Sequence, residues 1–187
     1  MPNQLPAPKV DTSMLDTVAQ DRGARLFDIT KEQYPYLKDK DVGYKYSPDP
    51  KSPYKLEFYQ QDDIPDWAKG KSTAIEVFHP QTTPQDLYGD YISHYAVNTD
   101  PKLQQMYQQF QKGITPQGKK FIAELVDEAK RGGEKNTETP EYMQRVVIPQ
   151  YLRGYLVNQF EPKDFSQAYS PQQIQLLKQM KQYLGIK

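Results

Sequence analysis

Five times in the second half of this chain, a residue that favours helix N-caps stands directly before a proline. Proline suits the first turn of a helix, where an N–H would have no partner, and a preceding hydroxyl or carboxylate can cap that helix. The five pairs are Thr83-Pro84, Asp100-Pro101, Thr115-Pro116, Thr139-Pro140 and Ser170-Pro171. They predict helices at about 84–97, 101–112, 116–131, 140–160 and 171–184.

Apolar residues recur at helical spacing inside these segments, as in Leu103, Met106, Tyr107 and Phe110. Stripes of this kind are typical of helices that pack into a bundle. Glutamines fill the opposite face of the same helix, and we expect that face to be solvated. Pro149 lies within the fourth predicted helix and predicts a kink, because proline removes a backbone hydrogen bond.

Before Pro80 the apolar period shortens to two, which is typical of half-buried strands. Residues 26–30, 42–46 and 54–58 alternate in this way, and 73–78 is predicted to join the same sheet. The proline-rich run between the second and third of these segments predicts a hairpin. The fold class is therefore α+β, with a small antiparallel sheet in the N-terminal half followed by a bundle of about five helices.

The chain of 187 residues is long enough for one domain with a substantial core. Residues 1–22 contain three prolines and few apolar residues, which predicts a flexible arm with one weak helical turn. Residues 23–187 are expected to form a single α+β domain, sheet-rich at 23–80 and helical at 81–187. Its 15 Tyr and 7 Phe supply large side chains for the core.

The composition argues against several classes of function. The 24 basic and 24 acidic side chains balance, so nucleic acid is not an expected partner. No apolar run approaches the length of a membrane span, so no membrane partner is expected. The chain has no cysteine, which excludes disulfides and thiolate chemistry. Gly-rich phosphate loops are missing, and no cofactor is expected.

The strongest candidate for chemistry is the row Asp86, Asp90 and His94, since a spacing of four places all three on one helix face. Two carboxylates and an imidazole are ligands for a divalent metal. Alternatively, Asp90 orients His94 as a general base. Glu124 or Glu128, on another predicted helix, would complete such a site.

A structural interpretation of the same row is also open. A metalloprotease motif is absent, and the chain has only two histidines, so a His-rich metal site is impossible. Polar groups four residues apart often form a seam between helices, here with a structural Asp90–His94 hydrogen bond. His79 is expected in a turn role, and Ser93 beside His94 does not make a catalytic triad because adjacent helical residues point apart.

Several phrases spread along the chain together resemble an uncharacterised domain in proteins of tailed, short-tailed (podovirus-like) bacteriophages. The resemblance covers residues 25–184 and implies a viral origin, with a location in the host cytoplasm and then in the virion. It implies no catalytic residues. The phrases are Tyr34-Pro-Tyr-Leu37, Tyr54-x-Leu-Glu-Phe58, Glu76-Val-Phe78, Gly89-Asp-Tyr-Ile-Ser-His94, Thr99-Asp-Pro-Lys-Leu103, Tyr151-Leu-Arg-Gly-Tyr155 and Tyr169-Ser-Pro-Gln-Gln173.

If the phrase ending at His94 is a helix seam, Arg153 on the fourth helix is a partner for Asp90, and the seam consists of Asp90, His94 and Arg153. The expected function is that of a non-enzymatic phage virion structural or accessory protein. Its partners would be other phage or virion proteins, or further copies of itself. The alternatives are a metal-assisted or acid–base hydrolase centred on Asp86, Asp90 and His94, and a free phage protein that binds a host protein.

Overall fold

The computed structural model describes residues 13–156 and 168–186. The predicted α+β class is confirmed, because a three-stranded sheet in the N-terminal half is followed by helices. The first half contains helix α1, Ser13–Gln33, and strands β1, Val42–Tyr46, β2, Leu56–Gln60, and β3, Thr73–Val77. Three short 3-10 helices lie at Pro35–Leu37, Gln61–Asp63 and Asp66–Ala68.

The second half is helical. Its α-helices are α2, Pro84–Tyr91, α3, Val97–Thr99, α4, Pro101–Lys112, α5, Pro116–Arg131, α6, Pro140–Tyr142, α7, Ile148–Leu156, and α8, Pro171–Leu184. A π-helical turn at Ile92–Ala96 joins α2 to α3, and another at Met143–Val147 joins α6 to α7.

All five predicted helix starts are confirmed, and each is capped by the side chain before the proline. Thr83, for example, accepts a hydrogen bond from the Asp86 N–H, and the Asp86 side chain accepts one from the Thr83 N–H. Equivalent caps begin α4, α5, α6 and α8, at Asp100, Thr115, Thr139 and Ser170. Residues 157–160 of the predicted fourth helix lie outside the described residues.

Around Pro149 the helix has a π turn directly before the proline, where the sequence predicted a kink. The proline has no N–H with which to bond the carbonyl of Arg145, four residues earlier. The preceding Ile148 N–H instead reaches back five residues to the Met143 carbonyl. The wider turn leaves the Arg145 carbonyl available to another partner.

The strand predicted at 26–30 is wrong, because this segment lies inside α1. The buried positions Gly23, Leu26, Phe27 and Thr30 follow helical spacing of three and four. Over so few residues, alternate apolar positions also occur on a helix, so a period of two does not distinguish a strand from a helix here. The predicted arm at 1–22 is likewise wrong for residues 13–22, which are helical; residues 1–12 lie outside the described part.

The sheet order is β1-β3-β2, so β1 and β2 do not form the predicted hairpin. β2 pairs with β3 in antiparallel fashion, whereas β1 pairs with β3 in parallel. Thr73, Ala74, Ile75 and Val77 make β3 the most buried strand. A strand this apolar is best buried at the centre of the sheet, and β2 then lies at one edge.

One hydrophobic cluster joins the sheet to the helices. Leu26, Ile75, Leu87, Leu152 and Leu177, from five different elements, belong to it. The predicted apolar stripe on α4 is buried, and the glutamines on its other face are mostly exposed. Within 13–156 and 168–186, no helix is long and apolar enough to cross a membrane.

Candidate functional site

Asp86 is held at the start of α2 by several partners. The Thr83 N–H and hydroxyl donate to its Oδ2 at 3.1 and 2.9 Å. Arg153 Nη2 lies 3.0 Å from Oδ1, and Lys55 Nζ lies 3.8 Å from Oδ2. Burial would raise the pKa of this carboxyl, but the Thr83 hydrogen bonds and the two cations outweigh it, so the pKa is lowered.

Asp90 lies one helical turn further along and contacts the same arginine. Arg153 Nε is 2.8 Å from Asp90 Oδ1, and the arginine side chain is only 9% exposed. The structure thus brings together Asp90 and Arg153, which the seam hypothesis paired. One guanidinium from α7 bridges two carboxylates of α2.

Burial raises the pKa of Asp90 to about 6. The Arg153 charge opposes this rise, while the neighbouring Asp86 charge adds to it. The two carboxyls differ because the Thr83 hydrogen bonds stabilise the ionised form of Asp86, whereas Asp90 is more deeply buried. Asp90 is therefore the weaker acid of the two.

His94 lies in the first π turn and has a different partner. Its Nε2 is 4.0 Å from Asp90 Oδ1, which is too far for a hydrogen bond, so the expected Asp90–His94 hydrogen bond is not formed. The π turn is wider than an α-helical turn, and residues four apart are no longer stacked within it. The seam predicted from regular helical spacing is therefore broken at His94.

The backbone of Arg145, whose carbonyl is left without an N–H by Pro149, acts on the His94 ring and favours its protonated form. Burial lowers the pKa of His94 to about 4; the Arg145 backbone opposes the shift and the Arg153 charge adds to it. The imidazole is therefore neutral at pH 7. The two π turns meet through this contact.

A polar cleft of about 620 Å³ opens beside these residues, between β2 and the second π turn. Asp90, His94 and Arg153 line its most buried part, but Asp86 does not line it. One exposed contact joins two lining residues of the cleft, from the Tyr54 hydroxyl to Glu134, and the lining residue Arg145 also lies 4.0 Å from Asp63. The walls are formed mainly by Lys55, Leu56, Glu57, Phe58, Tyr142, Arg145 and Gln150.

In the described part of the chain, no three His, Asp or Glu side chains are grouped so that they could hold a metal ion. Asp86 and Asp90 converge on Arg153 instead. Glu124 and Glu128, which were expected to complete a metal or acid–base site, do not line the cleft. The geometry resembles an internal ion-pair network rather than a metal centre.

The two remaining sequence candidates have local structural contacts. His79 Nε2 lies 2.9 Å from the Ser52 carbonyl, consistent with its predicted turn role. The Ser93 hydroxyl donates to the Gly89 carbonyl at 2.8 Å within its own helix. Sequence reasoning missed Arg145, although Pro149 four residues later signals that the Arg145 carbonyl has no helical donor.

A larger groove of about 700 Å³ lies elsewhere, between α5 and the second π turn. It contains none of the sequence-predicted site residues, and its lining is largely apolar. The apolar side chains are Ile114, Ile122, Ala123, Val126, Met143 and Ile148.

In comparisons with models of known families, with curated proteins and with solved structures, no family model, protein or structure matches this chain.

Proposed function

We propose that this chain is a non-enzymatic structural or accessory protein of a tailed-phage virion, acting through contacts with other virion proteins. The observation that carries the proposal is the bridge that Arg153 makes between Asp86 and Asp90. A metal or acid–base site needs carboxylates that are open to an ion or substrate. Here both carboxylates join α2 to α7, so they favour a structural role.

The neutral state of His94 supports the same proposal. Its ring lies beside the Arg145 backbone and beyond hydrogen-bonding distance of Asp90. An imidazole that is oriented by a carboxylate as a general base would sit within about 2.6–3.2 Å of it. His94 instead lies in the lining of the cleft, beside the second π turn.

Two concave surfaces are open to partners. The polar cleft beside β2 and the apolar groove beside α5 are separate, and each has a volume in the range of about 300–1,000 Å³ that ligand-binding clefts usually have. The resemblance over residues 25–184 is the reason for proposing that the partners are other proteins of a phage particle.

Quantitative mass spectrometry of purified particles of the source phage tests the proposal. We expect this chain at a fixed copy number relative to the major capsid protein, after washing in high salt. Detection only in the infected-cell lysate would refute the virion role and favour a free phage protein that binds a host protein.

A further inference from the structure

β2 is an edge strand, and its backbone groups alternate between the neighbouring strand and the open side. The Lys55 carbonyl accepts a hydrogen bond from the Phe78 N–H at 2.9 Å, directly beyond the paired register Leu56 to Val77. Residues of an antiparallel pair bond to their partner at every second position. Lys55, Glu57 and Tyr59 therefore face β3, and the intervening residues face away from it.

Leu56 and Phe58 face outward, and their backbone groups have no hydrogen-bond partner among the described residues. The hydrogen bonds of β3 alternate in the same way. Val77, the residue paired with Leu56, faces β1 instead, because its carbonyl accepts a hydrogen bond from the Ser47 N–H at 2.9 Å. Each outward residue offers one N–H and one carbonyl. Four backbone hydrogen-bonding groups are thus presented along this edge.

This edge borders the polar cleft, because residues 55–58 and 60 line one wall of it whereas no residue of β3 does. The opposite wall is helical and includes Tyr142, Arg145 and Gln150. A groove between a free strand edge and a helix accepts an extended peptide, whose backbone pairs with the strand while alternate side chains enter the groove. The pattern of donors and acceptors matches a peptide backbone better than it matches a compact small molecule.

We propose that an extended segment of a partner protein docks in this cleft as a fourth strand, hydrogen-bonded to the backbone of Leu56 and Phe58 and to the N–H of Gln60. The inference rests on the proposed function, since the partner is another virion protein. Side chains on the inner face of the added strand meet Asp90, a buried carboxylate. The segment therefore carries a hydrogen-bond donor, such as Ser, Thr, Asn or Lys, at one inward position.

The exposed contacts made by Tyr54 and Arg145 at the cleft are of a kind that a peptide can displace. Tyr54 is 48% exposed, and the Arg145 and Asp63 side chains are 57% and 72% exposed. Exposed ion pairs and hydrogen bonds contribute little to stability, so opening them costs little. The Arg153 bridge beneath them is buried and stays in place.

The first experiment selects peptides from a display library of random nine-residue sequences against the full chain. Binders are synthesised and added to the ¹⁵N-labelled protein, and amide hydrogen exchange is followed by NMR. In the free protein, the amides of Leu56 and Phe58 should exchange much faster than those of Glu57 and Tyr59. A bound peptide should slow exchange at Leu56 and Phe58 by at least tenfold and leave Glu57 and Tyr59 unchanged.

A matched pair of variants tests the backbone contact. Gln60 is the next outward-facing residue, so Gln60→Pro removes an outward N–H without disturbing the ladder to β3. We expect Gln60→Pro to weaken peptide binding roughly two- to tenfold, the value of one hydrogen bond. Gln60→Ala, which keeps the N–H, should bind within about twofold of the wild type, and circular dichroism confirms that both variants are folded.

Failure to enrich any peptide, or binding that leaves Leu56 and Phe58 exchanging freely, would overturn the strand-addition proposal. This result is independent of the particle measurement. Peptide docking by a chain that is absent from particles would refute the virion role alone. A chain fixed in particles whose Leu56 and Phe58 amides stay unprotected with every selected peptide would refute the docking mode alone.

Discussion

Arg153 is the residue whose environment most limits what this molecule can do. Its guanidinium is almost fully buried and balances two carboxylates that would otherwise repel each other. A buried ion pair contributes modestly when it is intact, but removal of one partner leaves an uncompensated buried charge. Here removal of the cation would leave the buried Asp90 without its ion-pair partner, while Asp86 would keep Lys55 and the Thr83 hydrogen bonds.

We therefore expect Arg153→Met to lower the free energy of unfolding by about 3–5 kcal/mol. Arg145→Met is the control, because Arg145 is exposed and its ion pairs with Asp63 and Glu141 should contribute under about 1 kcal/mol. Urea denaturation followed by circular dichroism measures both. Equal effects of the two substitutions would show that the Arg153 bridge is unimportant for stability.

Two groups in the cleft change their proton affinity on folding, in opposite directions. His94 has a folded pKa of about 4, below its ordinary 6.5, so the unfolded chain binds more protons between these values and stability rises with pH there. Asp90 has a folded pKa of about 6, above 3.8, so its contribution is present at low pH and is lost as pH rises through about 6. The two slopes oppose each other between about pH 4 and 6.

A substitution that removes one of these two groups should leave only the other group's contribution to the slope of stability against pH. Relative to the wild type, His94→Gln should lose stability as pH rises from about 4 to 6, by up to about 1.4 kcal/mol per pH unit. Asp90→Asn should gain stability over the same range. Urea denaturation at half-unit pH steps measures the two profiles, and variant profiles parallel to the wild type would contradict the assigned shifts.

At the level of individual residues, part of the candidate site could be predicted from the sequence. The spacing of Asp86 and Asp90 and a partner role for Arg153 were visible, because charged residues on facing helices need compensation. The displacement of His94 from Asp90 could not be predicted, because a spacing of four residues brings side chains together only in a regular α-helix. The π turns depend on Pro149 and on a contact between residues 51 positions apart, His94 and Arg145.

Among the elements, α1 packs closely against the sheet because Gly23 has no side chain. A Cβ at Gly23 would lie 2.3 Å from the Tyr46 ring, well inside contact distance. The Tyr44 hydroxyl donates to the Gly23 carbonyl at 2.5 Å on the same face. Glycine is a poor helix former, and its place in α1 is explained by the close approach of these two tyrosines.

Gly23→Ala should therefore destabilise the protein by about 1–2 kcal/mol, because the ring of Tyr46 must move. In a Tyr46→Ala background the same change should stabilise it by up to about 1 kcal/mol, the intrinsic helix preference of alanine. Thermal and urea unfolding of the four proteins complete the double-mutant cycle. An additive cycle would mean that the two positions are not coupled.

The elements that the sequence predicts best are those whose boundaries are marked by neighbouring residues. A cap and a proline occupy two adjacent positions, and this was sufficient to place the starts of α4 and α5. Strand order depends on which segment is buried on both faces, and β3 has its partners Val42 and Leu56 at distant positions. The same reason explains the wrong strand at 26–30. Which positions of α1 are buried depends on its contact with the sheet, which is distant in sequence.

In the whole molecule, the sheet and the helices share one core. The cluster that contains Ile75 of β3 also contains Leu152 of α7 and Leu177 of α8. The Tyr88 hydroxyl donates to the Leu184 carbonyl at 2.9 Å and links α2 to the last described helix. These contacts indicate that neither half is complete without the other.

The sheet and the helices should therefore unfold together. Trp67 is the only tryptophan of the chain and contacts Tyr59 of β2, so its fluorescence reports the sheet, while circular dichroism at 222 nm reports the helices. We expect the two urea transitions to coincide in midpoint and slope. A lower midpoint for the fluorescence would show that the sheet is a separate unit.

The central position of β3 also affects the order of events during synthesis. β1 and β2 leave the ribosome first, yet each can pair only with a strand that emerges later, after residue 72. In that interval the two early strands are unpaired neighbours joined by a loop with prolines at 48, 50 and 53. A premature β1–β2 hairpin is thus the misfolded state that β3 must displace, and the proline-rich loop makes that hairpin harder to close.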